Sequence, residues 1–304
     1  MQRIALQRQG PDHDDQARAA LGSGADSGPS VLPGPCVIGA TGGSGTRVFA
    51  RIVRRGGLFI GTNLNASEDA VDLGAYSDRW INTFMDRRAL PLRPGVEGDM
   101  RRDLDAVLAR HLAPLAGAPR PWGWKEPRCI YLLPFFHERF AALRVLHVLR
   151  DGRDMAYSPN QNQLTKHGPT LLRKAETAWP QPVRSAALWS RINLRTADYG
   201  ERHLAGRYLR VRLEDLCAEP VPTIAQVLEF FDLRGDAAEI ARQEVTVPES
   251  LGRWRAHDAE TLAVLHGVAG EALARFGYPA EPQPPALHQF MRDGRRSDEL
   301  TRRE

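Results

Sequence analysis

Apolar and polar positions follow two rhythms along the chain. Short unbroken apolar runs, Val37-Ile38 and Val145-Leu146-His147-Val148-Leu149, end on glycine-rich or charged corners, as strands buried on both faces of a parallel sheet do. The spacing predicts a central strand over 143–149 and a short second strand at Leu58-Phe59-Ile60. Between the strands the apolar period is helical: Val48 to Val53, a helix capped by Ser67 and running to about residue 86, Asp99 to Leu112, and Leu132 to Phe140. A long helical pattern from Thr170 to about Leu204 is interrupted by Pro180 and Pro182, and helices over Ile224 to Phe231 and Thr261 to Phe276 close the domain. Alternating strands and helices of this kind build an α/β domain of three layers, a central, mostly parallel sheet flanked by helices, with ligands beyond the carboxyl ends of the strands. The polar, glycine-rich residues 1–34 and the Pro- and Arg-rich residues 281–304 read as flexible tails around a domain over 35–280.

Two strand ends carry phosphate chemistry. The first runs through Gly42-Gly43-Ser44-Gly45-Thr46-Arg47 into a helix, so that glycines let amides curl around an anion while Ser44, Thr46 and the helix start add donors. The second places Arg150 at the end of the central strand and Ser158 in the corner that follows, a guanidinium and a hydroxyl able to hold a separate phosphate. The loop lacks the lysine of the nucleoside-triphosphatase pattern, because Thr46 follows Gly45 directly, and this disfavours a kinase or ATPase.

On Gly43-Ser44-Gly45-Thr46 and on the arginine-to-serine spacing from Arg150 to Ser158, the chain resembles the sulfotransferases that use 3′-phosphoadenosine 5′-phosphosulfate (PAPS). Further elements fall in the family's order. Trp124-Lys125-Glu126-Pro127-Arg128 is similar to its lysine-x-proline element, Leu209 to Leu216 to its late strand and E-D-L turn, and Ser250-Leu251-Gly252-Arg253-Trp254-Arg255 to its nucleotide-covering segment. The resemblance implies a P-loop-like sulfotransferase fold. It also implies PAPS as cofactor, 3′-phosphoadenosine 5′-phosphate (PAP) as product, and a hydroxyl-bearing small-molecule, sugar or lipid-linked acceptor. By the same resemblance Gly42 to Arg47 hold the 5′-phosphosulfate, Arg150 and Ser158 the 3′-phosphate, and Arg253 and Trp254 cover the nucleotide, while Lys125 meets developing charge. The acceptor's proton goes to Asp69 or Glu68, or to His167, which follows the Arg150 motif.

One departure stands out: Gly43 occupies the place where the family carries a basic residue, so Arg47 or Lys125 must supply that charge. Two rival readings follow, a degenerate P-loop kinase and a non-catalytic nucleotide binder. Composition narrows the rest. Only three lysines, Lys125, Lys166 and Lys174, stand among 41 basic residues, a skew that fits a high-GC bacterial genome. The net charge of +4 is spread along the chain rather than gathered in runs, which argues against nucleic acid as a partner. Cys36, Cys129 and Cys217 lack metal or disulfide spacing, and neither a signal-peptide layout nor a membrane-spanning run is apparent. The expectation is a cytoplasmic enzyme without a metal, its acceptor-binding insertions at about 62–120 and 160–204.

Overall fold

The computed structural model describes residues 34–86, 92–116 and 120–278, so the expected tails lie almost wholly outside the described residues. Four parallel strands, β1 (Cys36–Ala40), β2 (Gly123–Lys125), β3 (Arg144–Leu149) and β4 (Tyr208–Arg212), form one sheet in the order β2-β1-β3-β4. β1 pairs with β2 from Cys36 opposite Gly123 and with β3 from Cys36 opposite Arg144. The expected strand at Leu58 to Ile60 is a single parallel bridge, Phe59 opposite Trp122, next to β2.

Alternation within the strands divides the core. Val37 of β1 and Val145 of β3 face one layer, where they meet helices α2 (Val71–Met85), α3 (Val96–Leu112) and α4 (Leu133–Arg139). Ile38, Ala40, Leu146 and Val148 face the other, against α1 (Thr46–Arg55) and, from later in the chain, α8 (Leu213–Ala218), α9 (Pro220–Phe230) and α10 (Ala237–Glu244). A third cluster joins Leu149 to α5 (Gly152–Ala156), α7 (Gln181–His203) and α11 (Ala259–Arg275), while α6 (Asn162–Leu171) lies between α5 and α7 in sequence. The three-layer parallel α/β architecture expected from the sequence is therefore present.

Two local expectations are corrected. Ser67 does not cap the following helix: the chain turns through Asn65, whose side-chain oxygen accepts the amides of Ser67 and Asp69 at 2.8 and 3.0 Å, and α2 begins only at Val71. The pattern from Thr170 breaks at Leu172, and α7 starts at Gln181 with Pro182 in its first turn, where proline's missing N–H costs no helical bond.

Strand order fixes where a ligand can sit. From β1 the chain passes to β2 on one side and then to β3 on the other, so the crevice beyond Ala40 and Leu149 is the topological switch point of the sheet.

Candidate active site

β1 leads into the loop Thr41–Gly45, whose shape depends on two glycines. Gly43 and Gly45 have φ of 85° and 78°, and a Cβ on them would approach Met155 Cε at 3.0 Å and Leu213 at 2.8 Å. This gives a steric reason for the glycine in place of a basic residue. Ser44 Oγ donates to the Thr41 carbonyl at 2.7 Å, tightening the turn, and no side chain caps α1, leaving its first amides at the mouth of the crevice.

At the neighbouring strand end Arg150 is buried and bonded on several sides. Its Nε and Nη2 donate to Asp154 Oδ2 at 3.2 and 2.9 Å, its Nη1 to the Gly43 carbonyl at 3.4 Å, and its Nη2 to the Ser250 carbonyl and Oγ. Asp154 also accepts the amides of Gly252 and Trp254 at 2.8 and 3.2 Å, fastening the segment at 250–254 to this corner. Arg253 donates to the carbonyls of Ser250 and Tyr157 at 3.2 and 3.3 Å; burial, with the Arg150 charge beside it, lowers its pKa. The Ser158 hydroxyl stands 3.6 Å from the position of a Gly43 Cβ. Arg150, Ser158, Arg253 and the glycine loop thus meet across the crevice.

Trp254 takes a different place from the one expected. It is 3% exposed within the third core cluster, with the guanidiniums of Arg153 and Arg255 over its ring at 3.7 and 4.7 Å, so it reads as a buried support rather than an open platform for a base.

A second cluster forms at the end of β2. The Lys125 side chain is 1% exposed and its ammonium donates to the Asp69 carboxylate and, at 2.5 Å, to the Ser67 carbonyl. Burial lowers its pKa, and the Asp69 ion pair opposes that shift. Asn65 Nδ2 holds the other Asp69 oxygen at 3.1 Å, yet 23% of the Asp69 side chain stays exposed. Arg47 Nη2 reaches Ser67 Oγ at 3.3 Å, bringing the loop's arginine to the same cluster. Glu68 is separated from it: a positive φ of 61° turns it towards Arg51 and Arg54, which it binds at 2.7 and 3.1 Å. Beneath lies Glu126, buried, receiving Ser77 Oγ and Arg128 Nε at 2.8 Å each; burial raises its pKa against the pull of Arg128.

His147 and His167 are both buried. His167 lies in α6 with Nδ1 2.9 Å from Asn82 Oδ1, and desolvation depresses its pKa to about 4. His147 is buried on β3, bridging Tyr208 OH and Asn193 Oδ1. Sequence reasoning offered Asp154 only as one possible ion-pair partner of Arg150, and it missed Asn65 and Asn193. Asp154 had a legible signal, its position four residues after Arg150 at a helix start; the other two act through folds of the chain that no local spacing shows.

Together the two strand ends define a class, α/β proteins with a glycine loop and a buried arginine at the switch point of a parallel sheet and no nucleoside-triphosphatase lysine in the loop. Within that class the chain belongs to the sulfotransferase family, whose model matches residues 65–237, more than half of its length. The match takes in Asp69, Lys125, Arg150 and Ser158, while the glycine loop and the segment at 250–255 lie outside it. No curated protein matches the chain. Among solved structures it is similar to sulfotransferase STF1 from Mycobacterium tuberculosis, at 15% identity over 79% of this chain and 77% of that one, TM-score 0.47. It is similar also to STF9 from Mycobacterium avium, at 12% identity over 83% and 79% and TM-score 0.49, and to mouse SULT7A1 complexed with PAP, at 11% identity over 81% and 83% and TM-score 0.43.

Proposed function

We propose that the chain transfers a sulfuryl group from PAPS to a hydroxyl of a small-molecule, sugar or lipid-linked acceptor. The observation that carries this reading is the meeting of the glycine loop with Arg150 at the switch point, Nη1 lying 3.4 Å from the Gly43 carbonyl. The residues fit such a nucleotide, since a loop that excludes side chains lies beside a buried guanidinium. In this reading Gly42, Ser44, Gly45 and Thr46 hold the 5′-phosphosulfate with the amides that open α1, and Arg150, Ser158 and Arg253 hold the 3′-phosphate. Asp154 and Trp254 position the segment carrying Arg253 rather than touch the ligand.

PAPS, when bound, supplies an electron-poor sulfuryl group on a phosphate leaving group. Asp69, whose carboxylate stays reachable, takes the proton as the acceptor oxygen bonds sulfur and the bond from sulfur to the phosphate oxygen breaks. Lys125 and Arg47 supply the positive charge that Gly43 lacks, and a fixed ammonium in a nearly dry setting acts more strongly there than in water. The helical insertions at 62–120 and 160–204 would frame the acceptor, and the free, scattered cysteines fit a cytoplasmic setting.

Calorimetric titration with PAP, adenosine 5′-phosphate and ATP tests the reading. Binding of PAP in the micromolar range, dependent on its 3′-phosphate and weakened by about 1.5 to 3 kcal/mol in Arg150→Ala, is expected for a charge-assisted bond. Equal binding of the three ligands, or an unchanged PAP affinity in the variant, would sink it, and turnover of ATP with magnesium would favour the kinase instead.

A further inference from the structure

Arg47, Arg51, Arg54 and Arg55 follow the spacing of one face of α1, a row of about 12 Å that starts at the Lys125 cluster. Below Arg47 the row lines an open groove of about 610 Å³, which Arg120 also borders and whose floor is Leu58, Phe59 and Ile60. Four guanidiniums here face two carboxylates. Glu68 is shared by Arg51 and Arg54, and Glu244 by Arg55, at 2.9 Å, and Arg51, at 3.8 Å, so two positive charges remain. Arg120 bonds the Gly57 carbonyl at 3.0 Å. Arg51, Arg54 and Arg55 keep about half of their side chains exposed, at 45%, 52% and 52%.

The groove is joined to the transfer cluster through one peptide: Glu68 borders it, and its neighbours Ser67 and Asp69 both meet Lys125. We infer that the acceptor is an acidic saccharide, seated with carboxylate or sulfate groups along this arginine row and a hydroxyl at Asp69. Guanidinium forks match such oxyanions in pairs. The floor residues are buried, so the side chains the groove exposes are mainly charged, and a concave groove suits a chain better than a flat membrane. A saccharide also places hydroxyls and anions on the same units, as a row ending at a sulfuryl-transfer cluster requires. This inference rests on the proposed sulfotransferase reading.

The test is calorimetry on the full chain and on Arg54→Ala/Arg55→Ala, with a sulfated tetrasaccharide, a galacturonate tetramer, a neutral tetrasaccharide, hexaglutamate and anionic phospholipid vesicles. An acidic saccharide should bind in preference to the neutral one, hexaglutamate and vesicles, about tenfold more weakly in the variant and more weakly in added salt. PAP should bind wild type and variant alike. No acidic-saccharide binding, equal affinity in the variant, or a preference for hexaglutamate or vesicles would overturn the inference. A failure of PAP to bind the wild type would instead strike the sulfotransferase reading, so the two failures are distinguishable.

Discussion

Acid should destabilise this protein through His147 in a way that can be assigned to one side chain. The ring is fully buried on β3, and Asn193 fixes its tautomer: the Asn193 amide donates to the Trp189 carbonyl at 2.8 Å, so its oxygen faces His147 Nε2 at 2.8 Å and that nitrogen carries the proton. His147 Nδ1 then accepts from Tyr208 OH at 2.6 Å, and both nitrogens are satisfied in the neutral form. Desolvation lowers the pKa from 6.5 to about 4, the Asn193 bond only partly opposing it. The unfolded chain therefore takes up a proton near pH 6.5 while the folded one stays neutral down to about pH 4. No penalty exists above 6.5; it grows as pH falls and levels off below 4, at about 3 kcal/mol in all and about 2 kcal/mol by pH 5.

The assay is urea unfolding followed by tryptophan fluorescence at pH 7 and pH 5, for wild type and His147→Gln. The variant should be less stable at pH 7, but its loss between the two pH values should be smaller than the wild-type loss by about 2 kcal/mol. His167, also depressed to about 4, remains in both proteins and cancels in the comparison. Equal losses would refute the reasoning. The variant should also bind PAP more weakly, because Asn193 extends from His147 to Thr41 Oγ1 at 3.5 Å at the start of the glycine loop.

Three further outcomes are expected. Asp154→Ala strands the buried Arg150 charge and two amides, and should cost about 3 kcal/mol of stability by thermal unfolding together with PAP affinity; an unaltered midpoint would contradict the tether. Gly43→Lys, which restores the family's basic residue, should weaken PAP binding in calorimetry and lose about 1 to 2 kcal/mol of stability, since φ is 85° and Met155 lies in the way. Asp69→Asn should lower kcat by about a hundredfold or more with PAP affinity retained, whereas Glu68→Gln, which touches only exposed arginines, should leave kcat within about threefold; the reverse order would move the base to Glu68.

Local chemistry explains what the sequence disclosed. The places of the β1 and β3 corners were legible because each is a run that must sit at a strand end: glycines after a short apolar strand, and an arginine closing an apolar run. Lys125 was legible through its lysine-x-proline setting. The choice between Glu68 and Asp69 was not, since they are adjacent acids in one turn. The proposal favours Asp69 because the left-handed φ at Glu68 swings that carboxylate to α1 and leaves the other to Lys125. The surroundings of Trp254 were not legible for a related reason. A tryptophan beside Arg253 looks like a platform, but the cations over its ring are Arg153, one residue before Asp154 and 101 positions away in the chain, and Arg255. Such pairings depend on the crossovers that bring α5 against the segment after α10. A site assembled from strand ends can thus be located from sequence, while the division of labour among its charges belongs to the packing that surrounds it.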